Sequence, residues 1–491
     1  MRRYIIIILW LVSTILFSQK YYGLYRSNYS GSLGIQDNPA VFTSQKVKWD
    51  VNLVGFGIGF YTQTGFIANE SGLSLLNGQK EVKNASDSLP ANYNPDKQAL
   101  FYANNPTSNY VGLMFNAVVH GPSLVFRVKD FSFGFFTNAR AAFSAIDVPA
   151  FFNYYDLKNI VDFSIRQVDP FSAGFMQWSE IGINGAKKIQ IGSLGHEISI
   201  GANFKYLMGF EAGYIANKSS FNFVKIQDSI ITGNSNVEIG FSTGKSTNLD
   251  DYKYTQNGKG YALDLGVEYL VPQSDADEEE YPTEYAIKIG ASIKDIGAIQ
   301  FDKNAQVHKY IVSSATSVPT KYLNGSKYIE EIVQKSSSII YDDPLASQVS
   351  QSFSMALPTS LNLTFDYRAI KHVFVNASVQ RRIVLGERQV LAMNFMGIVP
   401  RYEKRWFEIG MPLSFIEDKI FGLGAYIRLG FLTVGSDQLN ALLFKQSKLN
   451  SADFFLALKI NPFRSVPKEE SYESFGSSIG KRKNDYGCFK F

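Results

Sequence analysis

The 491-residue sequence has little of the chemistry that most enzymes require. Its single cysteine excludes an intrachain disulfide framework and any multi-cysteine zinc site. Only four histidines are present, and they are scattered along the chain rather than grouped as in a metal centre or catalytic triad. The sequence also lacks a nucleotide-binding loop, a hydrolase nucleophile elbow and a zinc-protease motif. We therefore expect no enzymatic activity, no metal and no cofactor.

Charged residues are also scarce, at 19% of the chain. The 48 basic and 44 acidic side chains nearly balance, giving a formal net charge of +4. Nucleic-acid-binding domains normally carry a clustered basic field, so no nucleic-acid partner is expected. Aromatic residues, in contrast, are abundant, with 39 Phe and 28 Tyr. This apolar content excludes an intrinsically disordered chain.

The N-terminus has the pattern of a secretory signal peptide. Arg2 and Arg3 precede an apolar stretch over residues 4–12, and Ser18 is a small residue at a suitable cleavage point. We expect residues 1–18 to be removed after export, the alternative being an uncleaved signal anchor. Beyond residue 20 no apolar run approaches the roughly 18 residues of a membrane-spanning helix. The exported protein is therefore either soluble or embedded in a membrane as a barrel.

Hydrophobic residues recur with a period of two along most of the chain. From Tyr261 to Tyr269 every second residue is apolar, and the residues between them include Asp264 and Glu268. Strict alternation predicts β-strands with one apolar face and one polar face. The same pattern recurs at 198–206, 285–294 and 361–368, and further candidate strands include 371–385 and 388–400.

Strand length distinguishes a membrane barrel from a soluble β-sandwich. Sandwich strands average about 5–6 residues, whereas several segments here stay in phase for about nine. Aromatic residues stand at segment ends, as in the interfacial girdles of outer-membrane barrels. Because hydrocarbon tolerates no unpaired sheet edge, an exported β-protein in a membrane must be closed. We predict an all-β protein, a single antiparallel transmembrane β-barrel of about 14 strands, with about 12 to 16 compatible with the sequence. The end-of-segment aromatics are Tyr261, Tyr269, Tyr285, Phe301, Tyr367 and Trp406.

The prediction divides the chain into four parts. These are a signal peptide (1–18), an N-terminal plug segment (19–45), the transmembrane barrel (46–464) and a polar C-terminal tail (465–491). Two short links, Lys129-Asp130 and His120-Gly121-Pro122, are predicted to be hairpin turns. The terminal aromatic residues leave two interpretations of the tail open, an assembly signal for barrel insertion and an unstructured periplasmic tail.

Charged residues on the polar face of the strands are the candidate functional residues, because that face lines the barrel lumen. Charges inside a barrel either pair and rigidify the interior or line a pathway. The mixture of signs favours a paired, closed interior over a selectivity ring. The candidate lumen-lining residues are Arg140, Lys205, Asp264, Glu268, Lys294, Asp366, Arg368 and Arg428.

A resemblance to known families rests on short motifs. The box Asn38-Pro39-Ala40 resembles the one that opens FadL-type long-chain fatty-acid transporters and related type IX secretion barrels, where it belongs to a segment that tucks into the barrel as a plug. Together with stretches at 260–266, 294–297, 356–359 and 400–407, it resembles a domain-of-unknown-function family of outer-membrane β-barrels from gliding, type IX-secreting Gram-negative bacteria. The resemblance implies a plug role for Asn38, Pro39 and Ala40 and a location in the cell outer membrane. It implies no established activity.

Three functions are compatible with these observations. The first is a passive FadL-like channel for a hydrophobic or amphipathic small molecule, with the N-terminal segment as a movable hatch above an apolar pocket lined by Leu33, Ile35, Val41 and Phe42. The second is a non-transporting outer-membrane scaffold for secretion or surface-protein assembly, with ordered long loops. The third is a purely structural barrel. The Asn-Pro-Ala box favours the first, so the expected partners are outer-membrane lipid and either a hydrophobic small molecule or a secretion-system protein.

Overall fold

The computed structural model describes residues 21–63, 65–77, 80–84, 94–103, 110–149, 163, 165–227, 229–243, 255–273, 285–313, 315–319 and 329–461. The predicted signal peptide (1–18) and C-terminal tail (465–491) lie outside these residues. Within the described ranges, no helix combines the length and the hydropathy needed to cross a membrane.

Fourteen antiparallel strands close into a barrel, which confirms the fold class predicted from the alternation. The first and last strands close it, pairing from Val51 with Ile460 to Tyr61 with Ser451. The strands are β1 (Trp49–Thr62), β2 (Tyr110–His120 and Ser123–Val128), β3 (Phe131–Pro149), β4 (Phe171–Ile191), β5 (His196–Asn217), β6 (Ser235–Ser242 and Gly258–Pro272), β7 (Tyr285–Phe301 and Ala305–Val312), β8 (Gln348–Ser350, Phe353–Ala356 and Ser360–Ile370), β9 (Val373–Arg382), β10 (Phe395–Glu403), β11 (Phe407–Gly410 and Leu413–Ile416), β12 (Ile420–Leu423 and Ala425–Leu429), β13 (Leu432–Ser436) and β14 (Ser451–Ile460).

The strand β2 corrects one of the two predicted hairpins. Both of its pieces pair with β1 in one continuous register, with His120 opposite Gly55 and Ser123 opposite Asn52. His120-Gly121-Pro122 is therefore an interruption within a strand, caused by a proline that has no N–H to donate to the ladder. The Lys129-Asp130 hairpin is confirmed, since Val128 pairs with Phe131 and Lys129 has φ 52.

Bulges in β7 reverse the predicted inward and outward faces. Lys294 and Asp295 together oppose Asp264 of β6, and Asp295 has φ 58. Such a bulge shifts the side-chain alternation by one residue, so Phe301 is buried inside the barrel instead of standing in an outer girdle. An irregularity beside Tyr285 likewise turns this residue inward. Of the predicted girdle residues, Tyr261, Tyr367 and Trp406 are exposed on the outer surface.

The outer face of the barrel is a belt of exposed apolar side chains. Ile200 and Phe204 of β5 are each 50% exposed, while Ser199, Asn203 and Lys205 of the same strand are buried inside. A soluble protein rarely exposes a contiguous apolar surface of this extent. The same exposure recurs at Leu265, Ile289, Leu363, Phe365, Ile398, Ile409, Phe421 and Leu429.

The two ends of the barrel differ in the length of their connections. At one end, here called the turn end, strands are joined by the short links 129–130, 192–195, 371–372, 404–406 and 430–431, together with the longer link 273–284. The opposite end, here called the mouth end, carries the long connections 63–109, 150–170, 218–234, 313–347, 383–394 and 437–450 and the short link 417–419.

The described residues of the mouth-end connections form two small sheets and three helices. One sheet contains Ile165–Val168, Phe221–Ile226, Ser229–Thr232 and Thr316–Pro319. The other contains Gly65–Glu70, Glu81–Asn84, Gln98–Ala103 and Gln446–Leu449. The helices are Gly72–Asn77, Ile329–Tyr341 and Leu439–Leu443.

Two segments fold into the barrel interior. The first, residues 21–47, is called the N-terminal segment and contains a short helix (Tyr22–Tyr25) and two 3-10 turns (Gly34–Gln36 and Val41–Ser44). Most of its side chains are buried. The second, residues 383–394, is called the mouth loop. It replaces the first half of the predicted strand 388–400, because β10 begins only at Phe395.

Candidate functional site

The Asn-Pro-Ala box lies against the inner wall of the barrel. Asn38 donates from Nδ2 to the carbonyl oxygen of Val267 at 3.1 Å, and Asn184 donates to that of Pro39 at 3.1 Å. The Asn38 side chain also accepts the backbone N–H of Ala40 at 3.1 Å, which fixes the turn. Asn38, Pro39 and Ala40 are thereby held against β4, β5 and β6.

Two glycines make this close contact possible. Gly201 of β5 and Gly266 of β6 are paired across the sheet. A Cβ atom at Gly201 would lie 2.6 Å from the backbone of Pro39, and one at Gly266 would lie 2.1 Å from Oδ1 of Asn38. Any side chain at either position would displace Asn38 and Pro39 from the inner wall. These two glycines therefore provide the space in which the Asn-Pro-Ala box packs.

The wall holds the N-terminal segment largely by its backbone. Lys459 donates from Nζ to the carbonyl oxygens of Tyr29 at 2.5 Å and Ser30 at 2.9 Å. Such contacts satisfy buried carbonyl groups that would otherwise lose hydrogen bonds to water. Further donors to this backbone are Arg127 to Thr43 (2.6 Å), Ser292 to Asp37 (2.7 Å) and Asn203 to Ile35 (2.8 Å).

A cluster of paired charges occupies the middle of the lumen. Arg140 makes a two-pronged contact with Asp295, with both N–O distances 3.0 Å, and lies 3.4 Å from Glu180. Lys205 lies 2.6 Å from both Asp264 and Asp295. Buried charges are tolerated when each is paired in this way. The cluster thus joins β3, β4, β5, β6 and β7 across the interior.

The N-terminal segment is tied to this cluster by Asp37. Its carboxylate lies 2.6 Å from Arg26 of the same segment and 3.1 Å from Lys294 of β7. Tyr25 adds a second link, since its hydroxyl lies 2.9 Å from Nε2 of His120. The segment therefore lies inside the barrel, in contact with residues on both sides of the charged cluster.

A second group of paired charges lies nearer the turn end. Arg401 binds Asp366 through two N–O contacts of 2.9 and 2.7 Å and lies 3.2 Å from Glu403. Tyr285 donates to Asp366 at 2.8 Å. Asn28 of the N-terminal segment donates to Glu403 at 3.1 Å, so this group also holds the segment.

The remaining candidates occupy separate positions on the inner face. Arg428 lies 3.1 Å from Glu408, which also accepts from Ser27 at 2.5 Å. Glu268 accepts a short hydrogen bond from Ser44. Arg368 is half-buried at the end of β8, opposite Phe374. The predicted residues Arg140, Lys205, Asp264 and Lys294 thus come together in the central cluster, whereas Glu268, Asp366, Arg368 and Arg428 do not join it.

The mouth loop closes the other half of the lumen. The backbone N–H of Leu391 donates to Ser144 of β3 at 2.9 Å, on the far side of the barrel from β9. Val390 is fully buried in an apolar cluster with Trp178, Phe301 and Met355. The loop thus spans the lumen and rests on apolar side chains.

The start of the mouth loop is fixed by ion pairs at the rim. Arg388 lies 2.7 Å from Glu238 of β6, and Glu387 lies 2.9 Å from Lys218 in the connection 218–234. The hydrogen bond from Lys218 to Glu387, supported by Glu238, raises the pKa of Lys218 above its ordinary value. These contacts are half-exposed, unlike the buried charges that hold the N-terminal segment.

Between the two inward segments lies a cavity of about 120 Å³, here called the chamber. Tyr21, Tyr25 and Gln36 of the N-terminal segment form its floor, and Leu391, Ala392 and Met393 of the mouth loop form its roof. One wall is charged, with Arg140, Glu180, Lys205, Asp264, Lys294 and Asp295. The rest of the lining combines apolar and neutral polar side chains. The apolar ones include Met114, Val118, Phe136 and Phe395, and the polar ones include Asn116, His120, Asn138, Ser360 and Gln380.

Comparison with protein families adds an identity to this geometry. The sequence profile of a family of unknown function, DUF5723, matches residues 39–437, most of the chain. The chain belongs to the DUF5723 family. The predicted membership in a family of unknown function is thereby confirmed, while the link to type IX secretion stays a prediction. No curated protein sequence matches this DUF5723 member.

Several solved barrels are similar to the DUF5723 chain in structure. The toluene transporter TodX of P. putida has 10% identity and a TM-score of 0.39, covering 88% of this chain and 94% of TodX. The toluene transporter TbuX of Ralstonia pickettii has 10% identity and a TM-score of 0.35, covering 88% and 92%. The translocator domain of autotransporter NalP from Neisseria meningitidis has 7% identity and a TM-score of 0.29, covering 84% and 88%. The fold of the DUF5723 protein is established by its own strand register.

The apolar pocket expected beneath the N-terminal segment is not where the sequence predicted it. Leu33, Ile35 and Phe42 are fully buried in packed apolar clusters, and Val41 is half-buried. The chamber lies instead on the opposite side of the segment, against the charged cluster. Among the described residues of this DUF5723 protein, no group of three or more His, Cys, Asp or Glu side chains is arranged to hold a metal ion.

Sequence reasoning missed several partners in the interior ion pairs of this DUF5723 protein. The partners Asp37, Asp295, Arg401, Glu403 and Glu408 were not among the predicted residues. Arg401 and Glu403 are two residues apart and share the inner face of β10, so the period of two carried a usable signal for them. Asp295 could not be predicted because the bulge changes the direction of its side chain. Asp37 could not be predicted because it lies outside the strands, where alternation gives no signal.

Proposed function

We propose that this protein is a gated outer-membrane channel for a small amphipathic molecule, closed here by the N-terminal segment and by the mouth loop. The chamber between these two segments carries the proposal, because one of its walls is charged and the remainder combines apolar side chains with neutral polar ones. Such a lining suits a molecule with a polar group and an apolar body. The N-terminal segment is then the plug that the Asn-Pro-Ala box implies.

The outer surface and the connections support an outer-membrane location. A closed barrel with an apolar belt satisfies every backbone group within hydrocarbon. Short turns at one end and long connections at the other are the pattern of bacterial outer-membrane barrels, whose short turns face the periplasm. The turn end, where the N-terminal segment enters, is therefore periplasmic, and the predicted signal peptide supplies export.

The size of the chamber indicates a closed state. Pockets for drug-sized molecules measure roughly 300–1,000 Å³, whereas the chamber holds about 120 Å³. A ligand can fill it only if it is small, and passage requires the N-terminal segment and the mouth loop to move. Movement of each segment then controls access from one side of the membrane.

Deletion of residues 21–45, with residues 1–20 kept for export, tests the channel. We expect the deletion variant to form stable open channels in planar bilayers, with a single-channel conductance at least about tenfold above that of the wild type. The reason is that a 14-strand barrel without its plug encloses water. The freed carboxylates and guanidinium groups would be solvated in that lumen. An Arg381→Met variant, which alters an exposed ion pair with Asp418, should conduct like the wild type.

The outcome that contradicts the channel is a deletion variant that inserts and still does not conduct. Heat-modifiable migration in gels shows whether the variant forms a barrel. With a folded barrel and unchanged conductance, the lumen would be filled by the wall and the mouth loop alone, and a transport function would be excluded.

The mouth-end sheets favour one second candidate, a scaffold for secretion or surface-protein assembly. The sheet containing Ile165–Val168 and Phe221–Ile226 has its own apolar cluster, with Val168 and Phe223 buried. Ordered structure beyond the barrel rim is what a docking scaffold requires. Crosslinking in intact cells followed by mass spectrometry separates the two: a stoichiometric protein on these sheets, with a deletion variant that does not conduct, would establish the scaffold.

A further inference from the structure

The charges that line the chamber cancel one another. Three cations, Arg140, Lys205 and Lys294, face three anions, Glu180, Asp264 and Asp295. Arg140 and Lys205 are paired with these anions at 2.6 to 3.4 Å. Lys294 is paired with Asp37, whose second partner is Arg26. Counting these two residues, the charges are four positive and four negative.

A balanced set of buried pairs disfavours a charged ligand. A carboxylate or an ammonium group entering the chamber would have to lose its hydration without finding an unpaired counter-charge. It would also compete with pairs whose geometry is already good, such as the two-pronged contact of Arg140 with Asp295. The charged wall therefore offers an ion no free counter-charge to offset its lost hydration, although it remains a strongly polar surface.

Two polar atoms of the chamber have no hydrogen-bond partner. One is the hydroxyl of Tyr21, whose residue is only 1% exposed, and the other is Oδ1 of Asn116 on β2. Both residues line the chamber. Buried polar groups are nearly always hydrogen-bonded, so an unpaired donor and an unpaired acceptor in one cavity indicate a missing partner. The neighbouring Tyr25 hydroxyl, in contrast, is engaged by His120.

Apolar side chains beside these atoms complete the recognition surface. Met114 and Val118 flank Asn116 on the inner face of β2, and Phe395 lines the same chamber. The aromatic ring of Tyr21 lies 5.7 Å from that of Phe455. A ligand whose polar group reaches Tyr21 would therefore place its apolar part against Met114, Val118 and Phe395.

We infer that the chamber selects an uncharged small molecule that carries a hydroxyl or amide group, hydrogen-bonded to Tyr21 and Asn116, and that it excludes carboxylates and ammonium ions. This inference rests on the proposed channel function and names the class of its substrate.

Three probes that share a ring and differ in the polar group test the inference. These are benzyl alcohol, benzoate and benzylammonium, titrated calorimetrically into the full-length detergent-solubilised protein. We expect benzyl alcohol to bind at least about tenfold more tightly than either ion, because only the ions must leave water without a counter-charge. Equal or tighter binding of benzoate or benzylammonium would overturn the inference.

A conservative substitution locates the binding site. Tyr21→Phe removes only the hydroxyl, so we expect benzyl alcohol to bind about 3- to 10-fold more weakly. Tyr61→Phe removes another buried phenol outside the chamber lining and should leave binding unchanged. An unchanged affinity in Tyr21→Phe, with a folded barrel, would show that this hydroxyl takes no part.

Failure of the inference can be told apart from failure of the channel. If none of the three probes binds while deletion of residues 21–45 opens the barrel, the channel stands and the substrate class is wrong. If the folded deletion variant does not conduct, the channel itself is wrong, whatever the probes do.

Discussion

The two segments inside this barrel, the N-terminal segment and the mouth loop, are held in place by different interactions. The N-terminal segment is held by buried ion pairs and by hydrogen bonds with its backbone: Lys459 and Arg127 donate to its carbonyl oxygens, and Glu403 accepts from the N–H of Asn28. The mouth loop is held by an apolar cluster around Val390 and by half-exposed ion pairs at the rim. The N-terminal segment is thus fixed in one geometry by many directional contacts, whereas the mouth loop depends on packing and on a few contacts that are open to solvent.

This difference assigns different mobilities to the two segments. Buried charge pairs are costly to break one at a time, because the remaining partner is left uncompensated. Segments with few buried contacts and solvent-exposed hydrogen bonds open at lower free energy. We therefore expect the mouth loop to open first and often, and the N-terminal segment to move only as a unit.

The largest stability effect is expected at the central cluster. Arg140→Met leaves Asp295 and Glu180 with less positive charge and should lower the free energy of unfolding by about 3–5 kcal/mol. Urea titrations followed by heat-modifiable migration measure it. The double variant Arg140→Met, Asp295→Asn removes one charge of each sign and should recover most of the loss. A single variant as stable as the wild type would show that the cluster is solvated and that the interior is not closed by charge pairing.

A smaller effect is expected where the N-terminal segment contacts the wall. In Gly201→Ala the new Cβ lies 2.6 Å from the backbone of Pro39, and overpacking of this kind costs about 1–3 kcal/mol. We expect faster hydrogen exchange at residues 38–45, with the barrel strands unchanged. Gly185→Ala is the matched control, because a Cβ there meets nothing within 4 Å. Equal exchange in both variants would mean that the segment shifts without cost.

The smallest effect is expected at the rim. Arg388→Met breaks the ion pair with Glu238, which is half-exposed and worth about 0.2–1 kcal/mol. We expect exchange at residues 389–393 to increase by about 1.4-fold to fivefold, with residues 21–47 unaffected. Arg381→Met breaks the exposed pair with Asp418 and should change neither region. Simultaneous loosening of both closures by Arg388→Met would show that they form one cooperative unit.

The alternation of apolar and polar residues along the chain was sufficient to predict most of the fold. It predicted the barrel, its approximate strand number and the inward direction of residues such as Lys205 and Asp264, because one face of each strand must meet hydrocarbon. The bulge at Lys294-Asp295 and the interruption at Pro122 could not be predicted from alternation, since each changes the backbone without changing composition. These two features account for the reversed Phe301 and for the wrong hairpin.

The mouth loop shows a different limit of sequence reasoning. Residues 388–394 contain apolar side chains spaced like those of a strand, and this spacing predicts a strand over 388–400. In the structure Val390, Ala392 and Met393 are buried within the lumen rather than facing lipid. Apolar side chains are expected both in a packed barrel interior and on the outer surface of the barrel. Only the three-dimensional path of the chain distinguishes these two positions.

The way the wall grips the N-terminal segment has a consequence for how this region can change over time. Lys459, Arg127, Ser292 and Asn203 all donate to main-chain carbonyl oxygens, which are the same whatever amino acid carries them. Substitutions along much of the segment therefore preserve these bonds as long as the chain follows the same path. Residues at the floor of the chamber, such as Tyr21 and Gln36, can therefore change during evolution without loss of the hydrogen bonds that hold the N-terminal segment inside the barrel.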